Sequence, residues 1–282
     1  MSWIPKRVSL FTLLLSAPAS MLAQDLPTTQ PRLLTIYREE VKVGREAEHA
    51  KIEAGWPAAY ERAKSPDYYL GMVSVTGPSE AWFLVPRASH AAMADAMKRE
   101  AADPVLTAEL ARLTRADAEV LNNVRVLQAV ARTDLSYGAF PNLARERFWE
   151  ITWFRVRPGH EQQFDGAAKA YMAAAKRSSP DASWRTYEIM AGNPGPTYLI
   201  FSSVPSFSDF DKMMEGGMKV MQGLTPEEGA TLQKFSSEGL INTETNRFRL
   251  DPQMSYASRE TRAVDPEFWM PKKVAMKKAP QP

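Results

Sequence analysis

The chain holds three histidines and no cysteine. Thiolate nucleophiles, cysteine zinc sites and disulfides are therefore excluded, and imidazole chemistry rests on His49, His90 or His160. His49 and Glu53 stand one helical turn apart, the spacing of two metal ligands on one helix face, but no third ligand lies close in sequence and no metal is assigned. No glycine-rich phosphate loop, nucleophile elbow or HExxH is present. The other candidates come from the alternation of two strand-like runs, in which residues two apart share a face. In residues 148–154 Trp149, Ile151 and Trp153 make one face, and Phe148, Glu150, Thr152 and Phe154 make the other. In residues 33–39 the matching sets are Leu34, Ile36 and Arg38 against Leu33, Thr35, Tyr37 and Glu39. Rings mixed with a few polar groups are the composition of a small-molecule cavity. Tyr37, Glu150 and Thr152 are thus the candidate ligand contacts, with Glu150 the proton acceptor among them. The alternative is a filled space in which these groups bond only to one another.

Two related halves must position these residues. FWEITWFRVRPGHE at 148–161 repeats the pattern of LLTIYREEVKVGRE at 33–46, each a strand-like run closed by a glycine and followed by a helix. Gly44 and Gly159 are 115 residues apart, and the register then aligns Glu46 with Glu161, His49 with Phe164 and Trp56 with Tyr171. Trp56 and Tyr171 are accordingly expected in equivalent buried sites. His49, opposite a phenylalanine, is expected against apolar surface, as a structural histidine.

In the first half a helix from about 45 to 63 carries an apolar stripe, kinked near Gly55 and Pro57. Residues 68–75 and 81–85 read as a hairpin about the turn 76–80. Ser89 reads as a cap of a second helix, extended through 107–121, and residues 124–130 read as a closing strand. The second half replays this βαββαβ order, with strands at 148–156, 183–190, 197–202 and 244–250. Phe210, Met214 and Met221 on its second helix read as core, and Gly216 and Gly217 weaken that helix.

The length of 282 residues suits two units of this size. A composition of 44% hydrophobic, 24% charged and 10% aromatic residues is that of a globular chain. Residues 1–23 read as a signal peptide: Lys6 and Arg7, an apolar run too short to span a bilayer, then alanines, with cleavage after Ala19 or Ala23 both open. An exported, periplasmic or secreted protein is expected, without a transmembrane span in the mature chain. Removing the leader takes two basic residues and no acids, leaving the charges balanced and no electrostatic case for nucleic acid. The domain reading is 32–137 for the first repeat, 138–146 for a linker, 147–256 for the second repeat and 257–282 for a basic, disordered tail.

The βαββαβ order, twice over with aromatic first strands, resembles the dimeric α/β-barrel superfamily of ferredoxin-like units, which includes antibiotic-biosynthesis monooxygenases and NIPSNAP-like proteins. The resemblance implies an α+β fold in which two sheets pack face to face within one chain. The apolar strand faces would then lie beneath the helices, and the mixed faces, with Tyr37, Glu150 and Thr152, between the sheets. For function it allows two readings. One is an exported protein that holds a small apolar or aromatic ligand or an envelope partner. The other is a cofactor-independent or haem-dependent oxygenase. No cofactor is assigned; a haem, if the superfamily's use of it applied, would need one of the three histidines. Further oligomerisation is compatible with either reading.

Overall fold

The computed structural model describes residues 26–270. The segment read in the sequence as a signal peptide, 1–23, and the end of the basic tail, 271–282, lie outside the described residues. The first half runs β1 (Leu33–Val41), α1 (Glu46–Glu53), α2 (Gly55–Ala63), β2 (Leu70–Ser74), β3 (Glu80–Arg87), α3 (His90–Ala101), α4 (Pro104–Ala118) and β4 (Leu121–Ala131). The second runs β5 (Phe148–Val156), α5 (Glu161–Ser178), β6 (Arg185–Ala191), β7 (Thr197–Val204), α6 (Asp209–Gln222), α7 (Pro226–Lys234) and β8 (Leu240–Leu250). Two short helices follow, α8 (Arg259–Val264) and α9 (Pro266–Trp269).

The expected kink is a break: α1 and α2 are separate helices joined at Ala54. Ser89 caps α3 by accepting from the Ala92 amide, and the Asp103 side chain caps α4 in the same way, with Pro104 at its first turn. What reads in sequence as one extended helix is thereby divided in two.

All eight strands join one closed antiparallel barrel in the order β1-β3-β2-β8-β5-β7-β6-β4. Strand β1 lies between β3 and β4, and β5 between β7 and β8; the halves meet where β2 pairs with β8 and β4 with β6. Local details match at the 115-residue offset. β1 carries a bulge at Glu40/Val41 and β5 one at Arg155/Val156. Gly44 and Gly159 both take positive φ, 83° and 87°, where a side chain would be strained. The halves also end alike. Tyr137 bridges to Trp184 and Tyr256 to Tyr69, while Ser136 and Ser255 each accept from a backbone amide of a neighbouring segment.

The closed barrel overturns the expected placement of the strand faces. Leu34, Ile36, Trp149, Ile151 and Trp153 point into the interior, where they pack with Met72, Trp82, Leu127, Leu199 and Phe248. Thr35, Tyr37, Glu39, Glu150, Thr152 and Phe154 lie on the outer face, toward the helices. The physical reason is that an eight-stranded barrel is filled by its own side chains and admits almost no water, so it takes the more uniformly apolar set. The mixed set goes beneath amphipathic helices, where polar groups find partners. Arg38 is the one charged member of the inner set. It meets Glu80 at 2.6 and 2.8 Å, and its guanidinium lies 5.5 and 5.4 Å from the rings of Trp82 and Trp153. Its charge is thus matched as it enters the interior.

The expectation of a disordered tail from 257 fails for residues 257–270. Trp269 is 4% exposed, belongs to the interior cluster and donates from Nε1 to the Ala144 carbonyl at 2.9 Å. Asp265 forms an ion pair with Arg147, whose guanidinium lies 3.7 Å from the Phe268 ring. Together with Leu26 and Leu143, this segment closes the barrel end at which β1 and β5 begin. The lysine-rich composition hides two aromatic anchors, Phe268 and Trp269. Among the described residues no helix is long and apolar enough to cross a membrane.

Candidate functional site

A cavity of about 1120 Å³ lies between the outer face of β5, β7 and β8 and the inner faces of α5, α6 and α7. It is therefore in the helix layer rather than between sheets. Small residues make room for it. Ala167 and Ala168 on α5 and Gly216 and Gly217 on α6 line it, and a Cβ added to Gly217 would meet only the Tyr171 hydroxyl, at 3.9 Å. Phe154, Phe164, Ile200, Phe210, Leu232 and Phe235 supply apolar wall.

The floor is polar, and strand register puts it there. Glu150 stands opposite Arg247 on β8 and Ser202 on β7, and Thr152 opposite Thr245. These are cross-strand neighbours within contact distance on one face. Arg247 Nε donates to Glu150 Oε2 at 3.0 Å, and the Thr152 and Thr245 hydroxyls meet at 2.9 Å. The Arg247 guanidinium also lies 4.1 Å from the Phe210 ring. Tyr171 lines the opposite wall, and burial pushes its hydroxyl above the ordinary phenol range. It stays protonated at neutral pH and able to donate to a ligand.

Two of the three residues singled out in the sequence thus border the cavity, although on the other side of the sheet from the one expected. Tyr37 does not join them. It occupies the corresponding outer face of the first half, on β1 between Phe83 and Val126, and is 40% exposed. Met214 and Met221, read as core, are 58% and 54% exposed at the cavity's helical wall, whereas Phe210 is buried. Trp56 and Tyr171 are each half-buried rather than enclosed. Arg247, Ser202 and Tyr171 are the residues that sequence reasoning missed. Arg247 shares a face with Thr243 and Thr245 in its strand, but only the β5–β8 register identifies its partner.

None of the three histidines lines this cavity. His160 bonds to Gln163 at the start of α5, and His90 is exposed at the start of α3. His49 is 2% exposed in the first half and faces the carboxylates of Glu39 and Glu53, not the apolar surface expected from its alignment with Phe164. The donor set therefore does not fit a histidine-ligated haem in the cavity.

No family model and no curated protein matches the chain. Solved structures do resemble it. An anthrone oxidase-like protein superposes with a TM-score of 0.52 at 12% identity, over 80% of this chain and 94% of its own. A monooxygenase-like protein from Fusobacterium nucleatum gives 0.51 at 8%, over 78% and 92%. A chlorite dismutase from Candidatus Nitrospira defluvii gives 0.47 at 8%, over 80% and 93%. The chain has the dimeric α/β-barrel fold. At these identities the likeness extends to the architecture alone.

Proposed function

We propose that the chain is an oxygenase-like enzyme that takes a flat, enolisable aromatic ketone into the cavity of the second half. The observation that carries this reading is an apolar chamber of about 1120 Å³ with one ion pair, Glu150–Arg247, on its floor. That volume suits a fused-ring molecule, and such sites orient their ligand by a few placed polar groups. The fold is shared with proteins described as anthrone oxidase-like and monooxygenase-like, which supports the same reaction class.

In the reaction envisaged, a methylene activated by a neighbouring carbonyl and aryl rings loses a proton to the Glu150 carboxylate. Arg247 stabilises the enolate oxygen that develops. Dioxygen then adds at that carbon, and the peroxide anion takes the proton back from Glu150 to become the hydroperoxide. Loss of the second C–H proton as the O–O bond breaks leaves a ketone, that proton joining the departing hydroxide as water. The balance is CH2 + O2 → C=O + H2O. Tyr171 donates a hydrogen bond from the opposite wall.

Anthrone is a suitable probe. Expected are oxygen uptake and anthraquinone formation above the rate without protein, with a loss of roughly 10²- to 10⁴-fold in Glu150→Gln. A second reading, a binding protein without turnover, draws on the pairing of Glu150 with Arg247, which already occupies the carboxylate oxygen Oε2. Tight anthrone binding without oxygen uptake selects that reading, and neither binding nor uptake overturns both. The proposal also takes the halves 32–137 and 147–256 as duplicated ferredoxin-like units and the protein as exported. N-terminal sequencing of material from the periplasm tests the export.

A further inference from the structure

The first half holds a second group of chemistry-bearing residues, remote in character from the cavity. Glu39 projects from the outer face of β1, and His49 and Glu53 follow it on successive turns of α1. His49 Nε2 lies 2.9 Å from Glu39 Oε2 and 3.9 Å from Glu53 Oε1, and all three ligand atoms lie within 4.8 Å of one another. Asp117, near the end of α4, stands behind them and accepts from Trp56 Nε1 at 3.1 Å. His49, Glu53 and Asp117 are 2%, 3% and 4% exposed.

Two features of this group call for a ligand. Glu53 Oε1 and Asp117 Oδ1 are buried and meet no N–H or O–H donor, and the two carboxyl groups lie within hydrogen-bond reach of each other. Moreover, among the described residues no lysine or arginine pairs with Glu39, Glu53 or Asp117, so one imidazole faces three carboxylates. Carboxylates withdrawn from water in this way are costly unless a cation or protons offset them.

The second half shows that the fold does not require polar groups here. At the 115-residue offset, Glu39, His49 and Glu53 correspond to Phe154, Phe164 and Ala168. Those three residues pack in one apolar cluster, with the Phe154 and Phe164 rings 5.7 Å apart. The same strand and helix geometry therefore closes with hydrocarbon alone, and the polar set in the first half needs a reason of its own.

We propose that Glu39, His49 and Glu53, backed by Asp117, bind one divalent transition-metal cation that ties α1 and α4 to β1. An imidazole nitrogen with carboxylate oxygens suits zinc, manganese or iron(II) better than calcium or magnesium, which favour all-oxygen sites. Ligand atoms held about 2.0–2.2 Å from zinc in a tetrahedron lie roughly 3.3–3.6 Å apart, between the two distances measured from His49. The side chain of Glu39, 12% exposed, is the outermost of the three and marks the entry. Enclosure on the other sides makes this a structural clamp rather than a site open to substrate.

The test uses the full chain with no affinity tag, stripped with chelator and titrated with Zn²⁺ by calorimetry and with Co²⁺ by its visible d–d absorption. One equivalent per chain and a higher thermal midpoint are expected. Binding should weaken at least about 100-fold in Glu53→Gln, which keeps the shape, and in His49→Phe, which installs the residue of the other half. Either variant alone suffices should the other fail to fold. No cobalt band with no stoichiometric zinc overturns the proposal and leaves protons shared among the carboxylates as the compensation. Binding that survives undiminished in both variants overturns it as well, by placing the metal elsewhere.

Discussion

Replacing Trp269 by alanine removes the anchor that holds the C-terminal segment in the end of the barrel. A buried tryptophan withdraws roughly 150–250 Å² from water, which at about 25 cal/mol per Å² amounts to some 4–6 kcal/mol. The alanine that remains and the side-chain entropy regained reduce this, and the lost indole bond to the Ala144 carbonyl adds about 1 kcal/mol. The expected loss is therefore about 3–5 kcal/mol, the usual range for a large aromatic cut to alanine in a core. Trp269→Phe keeps much of the area but loses the N–H and part of the fused ring, so it should cost about 1–3 kcal/mol, less than the alanine variant. Urea unfolding followed by circular dichroism measures both, the midpoint falling while the slope is unchanged. A loss below about 1 kcal/mol in Trp269→Ala would mean that the segment is not docked as described, and the argument for a plugged barrel would fail.

Other expectations are as direct. Gly192 has φ 89°, and an added Cβ would sit 2.0 Å from the Val126 carbonyl oxygen, whereas Gly159, at φ 87°, opens on empty space. Gly159→Ala should cost only the left-handed backbone penalty of about 1–2 kcal/mol, and Gly192→Ala clearly more; equal losses would refute the contact. Gly217→Leu should abolish anthrone binding by filling the cavity, yet leave the thermal midpoint no lower, because leucine is the better helix former by roughly 0.5–1 kcal/mol. Burial pushes the Glu146 carboxyl above its ordinary range, and its Oε2 has no partner. The folded state thus holds this proton more firmly than the unfolded one, so the group lowers stability as pH rises from the ordinary carboxylate range through the raised value. Glu146→Gln should raise the thermal midpoint at neutral pH and not in acid, and the opposite order would contradict the assignment.

The element order was legible because each signal was local: glycines 44 and 159, the Ser89 cap, the alternation of residues 148–154. What lay hidden was long-range. Alternation divides Trp149 and Trp153 from Glu150 and Thr152, but it does not say which set faces inward. That depends on whether eight strands close into one ring or stack as two sheets. In the same way Arg247 becomes a partner of Glu150 only through the β5–β8 register, and Glu39 joins His49 and Glu53 only when α1 folds back over β1. The C-terminal segment misled for a different reason, since two aromatic residues outweigh the lysines and prolines around them once a barrel end is available to receive them.

Barrel closure also has a consequence in time. Strand β2 cannot complete its pairing until β8 arrives, and the Gly71 amide waits for the Ser255 hydroxyl, 184 residues later. At roughly 5–20 residues per second of synthesis, the open side of β2 is exposed for about 10–40 s. An unpaired strand edge is a template for association with other chains. Only five residues long and interrupted by a glycine, β2 is a poor template of that kind, so the strand that must wait longest is also the one least able to recruit a wrong neighbour.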